Sequence, residues 1–175
     1  MRKLSVALYV VLICGVAFAG NPCKVLSGEE KLESILGEKV FMSLEIDWAE
    51  TLYDNRGEAK PVLGEDYDFI VNDCERSFIT GFNEKSNGPK FLQTSSDVKY
   101  KCVFKVTNVN RIARSPGYAT KHVAQVWGSV KIVDLSTGET LVSISIDGAK
   151  GDRDLYAREC YGKTFYEIGK TIGNF

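Results

Sequence analysis

The chain has 175 residues, almost equal numbers of acidic and basic side chains, and a formal net charge of −1. This balance lacks the bulk positive charge that is typical of nucleic-acid-binding domains, so no nucleic-acid partner is expected. Hydrophobic residues make up 44% of the chain. That fraction is sufficient for a buried core and excludes an intrinsically disordered protein.

The N-terminus has the pattern of a cleavable secretory signal. Two cations precede an apolar run, Leu4–Ala19, which ends in small residues before Gly20. The run is shorter than the roughly 20 residues that a membrane-spanning helix needs, so we expect cleavage after Ala19 rather than a membrane anchor. The predicted organisation is a signal peptide, 1–19, followed by one domain, 20–175, without a membrane span. A secreted or periplasmic location follows from this prediction.

Four cysteines remain after the predicted cleavage: Cys23, Cys74, Cys102 and Cys160. An oxidising compartment favours pairing of an even number of cysteines. Sequence alone leaves three connectivities open. We expect at least one disulfide, with Cys74–Cys102 as the first choice and Cys23–Cys160 as its complement.

The first half of the predicted domain alternates between helix and strand patterns. Glu29–Leu36 is predicted as a short helix, and Val40–Trp48 as a strand with apolar residues at alternate positions. Turn residues fill the connection 49–65. Asp66 is predicted to cap a long helix that reaches Phe82 and has an apolar stripe at helical spacing.

The second half is predicted to be a meander of strands followed by a helix. Period-two alternation marks a strand over Val98–Val109 and two further arms, whose connection, 134–139, has a glycine suited to a left-handed turn. Asp152 is predicted to cap a final helix that runs almost to the C-terminus. Along it, Gly162, Gly169 and Gly173 lie on one side. The first two indicate close approach of another backbone, and the alternative for Gly173 is that it only marks the end of the helix.

The alternation predicts the fold class. Each of the four predicted strands is apolar on one face only, whereas strands covered by helices on both sides would be apolar throughout. We therefore expect an α/β (α+β) two-layer sandwich with a four-stranded mixed sheet, two long helices on one face, and the order α-β-α-β-β-β-α. The first long helix would form a right-handed crossover.

Three segments carry a resemblance at the level of architecture: Tyr100–Thr107, Gln125–Asp134 and Ile168–Gly173. With the signal pattern, this layout resembles small envelope domains of Gram-negative bacteria. Examples are the penicillin-binding-protein activator lipoproteins, the curli-secretion lipoprotein and the N-terminal domain of the Tol-system β-propeller protein. The resemblance implies a non-catalytic role in envelope assembly or binding. It carries over no functional residues, and the chain lacks a typical lipid-attachment cysteine.

The outer sheet face is the preferred candidate for a partner surface. Its predicted residues are Phe41, Lys99, Lys101, Val103, Trp127 and Lys131. Tryptophan that remains exposed among serines and lysines is typical of interaction hot spots. The alternative is that a loop, 49–65, covers this face.

Other chemistry is weakly supported by the sequence. His122 is the only histidine, and a nucleophilic pair would need a cysteine beside it. The acidic segment 147–154 has neither phosphate-loop nor EF-hand spacing, and calcium binding there would need help from Asp54 and Glu58. Arg111, Arg114 and Lys121 form a basic loop around Tyr118.

The leading functional hypothesis is an exported, non-enzymatic binding or envelope-assembly accessory protein. Its partner would be an envelope or extracellular protein or a small ligand, and no cofactor is expected. The alternative is an extracytoplasmic enzyme, for example a hydrolase, whose carboxylates are brought together only by the fold.

Overall fold

A computed structural model describes residues 21–91, 98–115 and 119–175. The predicted signal peptide, 1–19, lies outside these ranges. Within them, the chain forms one twisted mixed sheet with helices against a single face. We call this helix-covered side the inner face and the opposite side the outer face.

The strands and helices alternate along the chain. The strands are β1 (Cys23–Ser27), β2 (Phe41–Asp47), β3 (Leu52–Tyr53), β4 (Gly57–Glu58), β5 (Lys90–Phe91), β6 (Tyr100–Arg114), β7 (Lys121–Asp134) and β8 (Thr140–Lys150). The helices are α1 (Glu29–Gly37), α2 (Ala59–Leu63), α3 (Tyr67–Lys85) and α4 (Cys160–Gly173), with a 3₁₀ turn, Gly64–Asp66, before α3.

The sheet order is β1-β8-β7-β6-β2-β5. Beyond the part of β6 that pairs with β2, β3 pairs with β6, and β4 pairs with β3. Strands β6, β7 and β8 form the expected antiparallel meander. Strand β2 lies parallel to β6, so α3 makes the expected crossover between them. The α/β class with a mixed sheet is therefore confirmed.

The predicted four-stranded sheet and its element order are wrong, because the sheet has eight strands. Strand β1 pairs with the far edge of β8, from Cys23 opposite Ile146 onward. Strands β3, β4 and β5 have only two residues each. So short a strand carries no alternation for a pattern to detect, and its pairing depends on which edge the folded sheet exposes.

Both long helices cover the inner face. The Phe104 ring of β6 lies 5.8 Å from the Phe78 ring of α3 and 5.2 Å from the Phe165 ring of α4, measured between centroids. Val130 and Ile144, on the same face of β7 and β8, are fully buried. The prediction that the two helices share one face is confirmed.

The glycine stripe of α4 lets it lie directly on α3. A Cβ atom at Gly162 would overlap the Asp73 carboxylate, and one at Gly169 would overlap the Phe78 carbonyl oxygen. Gly173 is similarly close to the Phe82 carbonyl oxygen, at 2.7 Å from the position of a Cβ. The expected close approach of another backbone is confirmed at Gly169 and is also present at Gly173, whereas Gly162 faces the side chain of Asp73.

The start of the last helix differs from the prediction. Helix α4 begins at Cys160, so Asp152 does not cap it. The chain instead continues in the direction of β8 beyond Lys150, and the backbone of Asp154 exchanges hydrogen bonds of 2.7 and 2.9 Å with that of His122 in β7. Pairing with β7 therefore delays the turn into the helix.

In two turns, the backbone conformation is the one that the local residue types favour. Between β7 and β8, Gly138 has a φ of 73° and its N–H donates to the Asp134 carbonyl, as expected for a left-handed glycine. Between β3 and β4, Asp54 and Asn55 both have positive φ values, 54° and 57°. That combination is typical of a tight type I′ hairpin.

No helix in the described residues combines the length and apolar character needed to cross a membrane.

Candidate binding face

The outer face is a broad surface whose residues are set by the strand register. Across the middle of the sheet, Glu45 of β2 lies beside Val103, Val103 beside Lys131, and Lys131 beside Ser143. The next row toward the far end contains Lys105, Ser129 and Ser145 with Lys24 of β1. These side chains alternate with the buried inner residues, so none of them contributes to the core.

The six residues predicted for a partner surface lie in different settings on this face. Phe41 is 44% exposed at the start of β2. Val103, Lys101 and Trp127 are half-buried, and Lys131 is exposed. Lys99 precedes β6 and is held by Glu38 at 2.5 Å. The structure thus brings the lysines and Val103 close together, while Trp127 lies farther along β7 and Phe41 lies at an edge.

The Trp127 indole packs against Gly148 of the neighbouring strand β8. Gly148, at a break in the β7–β8 register, has a φ of 62°. A Cβ at Gly148 would lie 3.3 Å from Cζ2 of Trp127 and 3.4 Å from the Gln125 amide nitrogen. The missing side chain therefore provides the space for the indole, and Trp127 remains half-buried.

The predicted covering loop does not lie over the outer face. Within it, β3 pairs in the plane of the sheet with Asn108 and Val109 of β6. The Thr51 hydroxyl also donates to the Val106 carbonyl at 2.9 Å. This segment therefore widens the sheet instead of shielding it, and no described helix or strand covers Trp127.

Charge on the outer face is predominantly positive. Carboxylates neutralise two of its cations: Lys101 pairs with Glu45, and Lys105 pairs with Glu50 at 2.6 Å. Five others make no ion pair within the described ranges: Lys24, Lys131, Lys150, Lys121 and Arg114. A chain with slight overall negative charge therefore concentrates positive charge on one surface.

The positive charge is densest where the outer face ends. A cleft of about 350 Å³ opens there, with Ile112 and Val123 as its apolar base and Arg114, Lys150, Gly151, Asp152 and Arg153 around it. Sequence reasoning placed Arg114 in a basic loop but did not include Lys150. Lys150 is opposite Gln125 in the register. Strict alternation along β8 assigns Lys150 to the inner face, and only the break in register beside Trp127 turns it outward, so the sequence pattern carried no signal for it.

The four cysteines are buried, free thiols in the structure, so the predicted Cys74–Cys102 and Cys23–Cys160 bonds are not formed there. Burial raises the pKa of Cys23 and Cys102 to about 12 and that of Cys160 to about 11. A catalytic cysteine needs a lowered pKa. These thiols are therefore poor nucleophiles at neutral pH, and none forms a reactive pair with His122.

A groove of about 410 Å³ between α3 and α4 is lined by three carboxylates, of which cations hold two, while Glu159 makes no ion pair within the described ranges. Asp73 pairs with Arg76 at 2.5 Å, and Asp154 with Lys163 at 2.8 Å. The Lys163 hydrogen bond lowers the pKa of Asp154, whereas a general acid at neutral pH needs a raised one. In the described ranges, no three His, Cys, Asp or Glu side chains lie close enough together to hold a metal ion. This finding applies to Asp54 and Glu58 as well.

No protein-family model matches the chain, and no curated protein is significantly similar in sequence. Several solved structures resemble it distantly. The PelC dodecamer from Paraburkholderia phytofirmans is 11% identical, with 87% of this chain and 96% of that chain covered and a TM-score of 0.46. A Helicobacter pylori homologue of a neuraminyllactose-binding hemagglutinin is 11% identical, with 77% and 81% covered and a TM-score of 0.42.

A minor lipoprotein from Acinetobacter baumannii is 13% identical, with 78% of this chain and 92% of that chain covered and a TM-score of 0.35. These structures come from Gram-negative bacteria, and one of them is named a lipoprotein. None of the three values is high enough to identify a family or a function for this chain.

Proposed function

We propose that this chain is an exported, non-catalytic binding protein whose outer sheet face docks an acidic surface of another extracytoplasmic protein. The observation that carries the proposal is the group of five outer-face cations without ion pairs, on a face that no described helix or strand covers. Opposite charge steers encounter and selects partners. A broad, open sheet face suits a protein surface better than an enclosed small molecule.

Export is the second part of the proposal and rests on the sequence pattern of residues 1–19. If that segment is a cleaved signal, the protein recovered outside the cytoplasm begins at Gly20. N-terminal sequencing of the recovered protein tests this. Recovery with Met1 retained would contradict it.

Binding is tested with a defined acidic probe. Residues 20–175 are titrated with labelled poly-L-glutamate at low ionic strength, and poly-L-lysine serves as the opposite-charge control. We expect binding of poly-L-glutamate only, weakening as salt screens the charges. Equal binding of both polymers, or binding that is insensitive to salt, would contradict an electrostatic face.

Charge-reversal variants locate the binding surface. The double variant Lys131→Glu with Lys150→Glu alters the outer face, while Lys31→Glu with Lys85→Glu changes the net charge equally on helices α1 and α3. We expect the outer-face variant to lose at least about tenfold in affinity, equivalent to roughly 1.4 kcal/mol. The helix-side variant should lose far less, and equal losses would show that only net charge matters.

A further inference from the structure

The chain itself contains an acidic surface that complements the cationic end of its outer face. This surface is the segment 58–68, which includes α2 and the start of α3. Four acids and one lysine give the segment a net charge of −3. Asp66 is held by Arg158. Three other carboxylates are exposed and make no ion pair within the described ranges: Glu58, Glu65 and Asp68.

An apolar side chain lies exposed among these carboxylates. Val62 of α2 is 56% exposed. Glu58 precedes the helix, and Glu65 lies in the 3₁₀ turn that follows it. Leu52, which is opposite Glu58 in the β3–β4 pair, is exposed as well. A partner that matches this segment must therefore offer an apolar recess with cations at its rim.

The cleft at the end of the outer face has that arrangement. Its base is formed by Ile112 and Val123. Asp152 is the one acid among its lining residues. A water molecule in the liquid occupies roughly 30 Å³, so the cleft of about 350 Å³ has the volume of about twelve waters, which accommodates an aliphatic side chain with polar neighbours. Three of its lining residues are cations without an ion pair in the described ranges: Arg114, Lys150 and Arg153.

The segment and the cleft cannot meet within one molecule, because they lie on opposite sides of the sheet. Val62 lines a small cavity together with Ile70 of α3 and Arg111 of β6. The register of β6 slips at Thr107, and beyond the slip Arg111 lies opposite Ala124, a buried residue of the inner face. Helix α2 is therefore on the helix-covered side, whereas the cleft opens on the outer face. Contact between the two surfaces requires two copies of the chain.

We infer that the acidic partner of the outer face is a second copy of this chain, whose segment 58–68 inserts Val62 into the cleft and places its carboxylates among the cleft's cations. The inference rests on the proposed function, since it names the partner of the same face. The two joined surfaces differ, so repetition of the contact joins copies head to tail, into a ring or an open chain. One cleft and one short segment bury little area, which makes the association weak.

Sedimentation of residues 20–175 at increasing protein concentration tests the inference. At low ionic strength, we expect the average mass to rise above that of the monomer by about 1 mM protein, and to fall back as salt screens the charges. A chain that stays monomeric up to this concentration overturns the inference. If such a chain still binds poly-L-glutamate, the proposed docking face stands with a different acidic partner. If it does not bind the polymer either, both proposals fail.

Two variants that each neutralise one surface locate the contact. Glu58→Gln with Glu65→Gln alters the segment, and Arg114→Gln with Lys150→Gln alters the cleft. Each variant alone should lose at least about tenfold in self-association. An equimolar mixture should form a one-to-one complex, because the intact cleft of one variant meets the intact segment of the other. A mixture that remains monomeric where the unaltered chain associates would show that these surfaces do not pair.

Matched variants elsewhere on the molecule control for net charge and for exposed apolar area. Glu29→Gln with Glu30→Gln removes the same charge from exposed positions of α1 and should change self-association less than about twofold. Val62→Ser should weaken it several-fold, because the apolar part of the contact is lost. Leu26→Ser, at another exposed apolar residue, should not. If the α1 variant loses as much as the segment variant, or Leu26→Ser as much as Val62→Ser, the inference is wrong.

Discussion

The inner and outer faces of the sheet are built from the same strands but have opposite compositions. On the inner face, Phe104 contacts aromatic rings from two helices and is completely buried. On the outer face, its neighbour Val103 lies between Glu45 and Lys131 and is only half-buried. Burial of apolar surface provides most folding free energy. The inner face therefore provides most of the stability of the domain. Residues of the outer face contribute less to stability, so they can serve binding instead.

The largest contrast is expected between adjacent residues of β6. Phe104→Ala should lower the free energy of unfolding by about 3–5 kcal/mol, because it removes ring contacts with α3 and α4 and leaves a cavity. Val103→Ala should cost less than about 1 kcal/mol. Urea denaturation of both variants measures the difference. Similar losses would contradict the division of roles between the faces.

The helix layer itself can be tested where α3 and α4 meet. Gly169→Ala places a methyl group against the Phe78 carbonyl oxygen, and because backbone atoms cannot rotate away, the helices must separate. We expect a loss of about 1–3 kcal/mol in unfolding free energy. Gly37→Ala is the matched control, since no atom lies within 4 Å of a Cβ there. Equal stability of the two variants would show that α4 does not rest on α3.

A smaller effect is expected on the outer face at Gly148. Gly148→Ala and Gly138→Ala both place an alanine at positive φ, 62° and 73°, which costs about 1–2 kcal/mol. Only Gly148 contacts Trp127, as open space surrounds Gly138. Gly148→Ala should therefore also change tryptophan fluorescence, and Gly138→Ala should not. An unchanged spectrum for Gly148→Ala would mean that the indole does not lie on Gly148.

The smallest effect concerns the ion pair that holds the segment after β8. Lys163 lowers the pKa of Asp154, with a further contribution from the Tyr156 N–H, which donates to Asp154 at 2.9 Å. A carboxyl whose folded pKa lies below its unfolded value, about 3.9, stabilises the fold above that value. The stabilisation is lost as pH falls through the folded pKa.

Asp154→Asn should accordingly cost about 0.5–1 kcal/mol near pH 7, a value typical of a partly exposed pair. The difference should vanish in acid, where the unaltered Asp154 is also protonated. Thermal unfolding across pH measures this, with Asp152→Asn, an exposed neighbour, as the control. A cost that persists unchanged in acid would point to a role other than charge.

The bulge at Thr107 shows where sequence reasoning reached its limit. Strict alternation from Val98 assigns Arg111 to the outer face, but the slip after Val106 turns it to the inner face. A trace of this change is present in the sequence, since buried Val106 and Val109 are three positions apart. Alternation read without allowing a bulge therefore left Arg111 as a loop cation.

The sequence by itself determined the α/β class, the single apolar face of each long strand, the glycine contact between helices and the turn at Gly138. Each of these depends on residues close together in the chain, where periodicity and turn chemistry act directly. Only the tertiary structure decided the sheet edges, the start of α4 and the group of unpaired cations on the outer face. These features join residues from distant segments, and their energies exist only once the strands have paired and the helices have closed over the inner face.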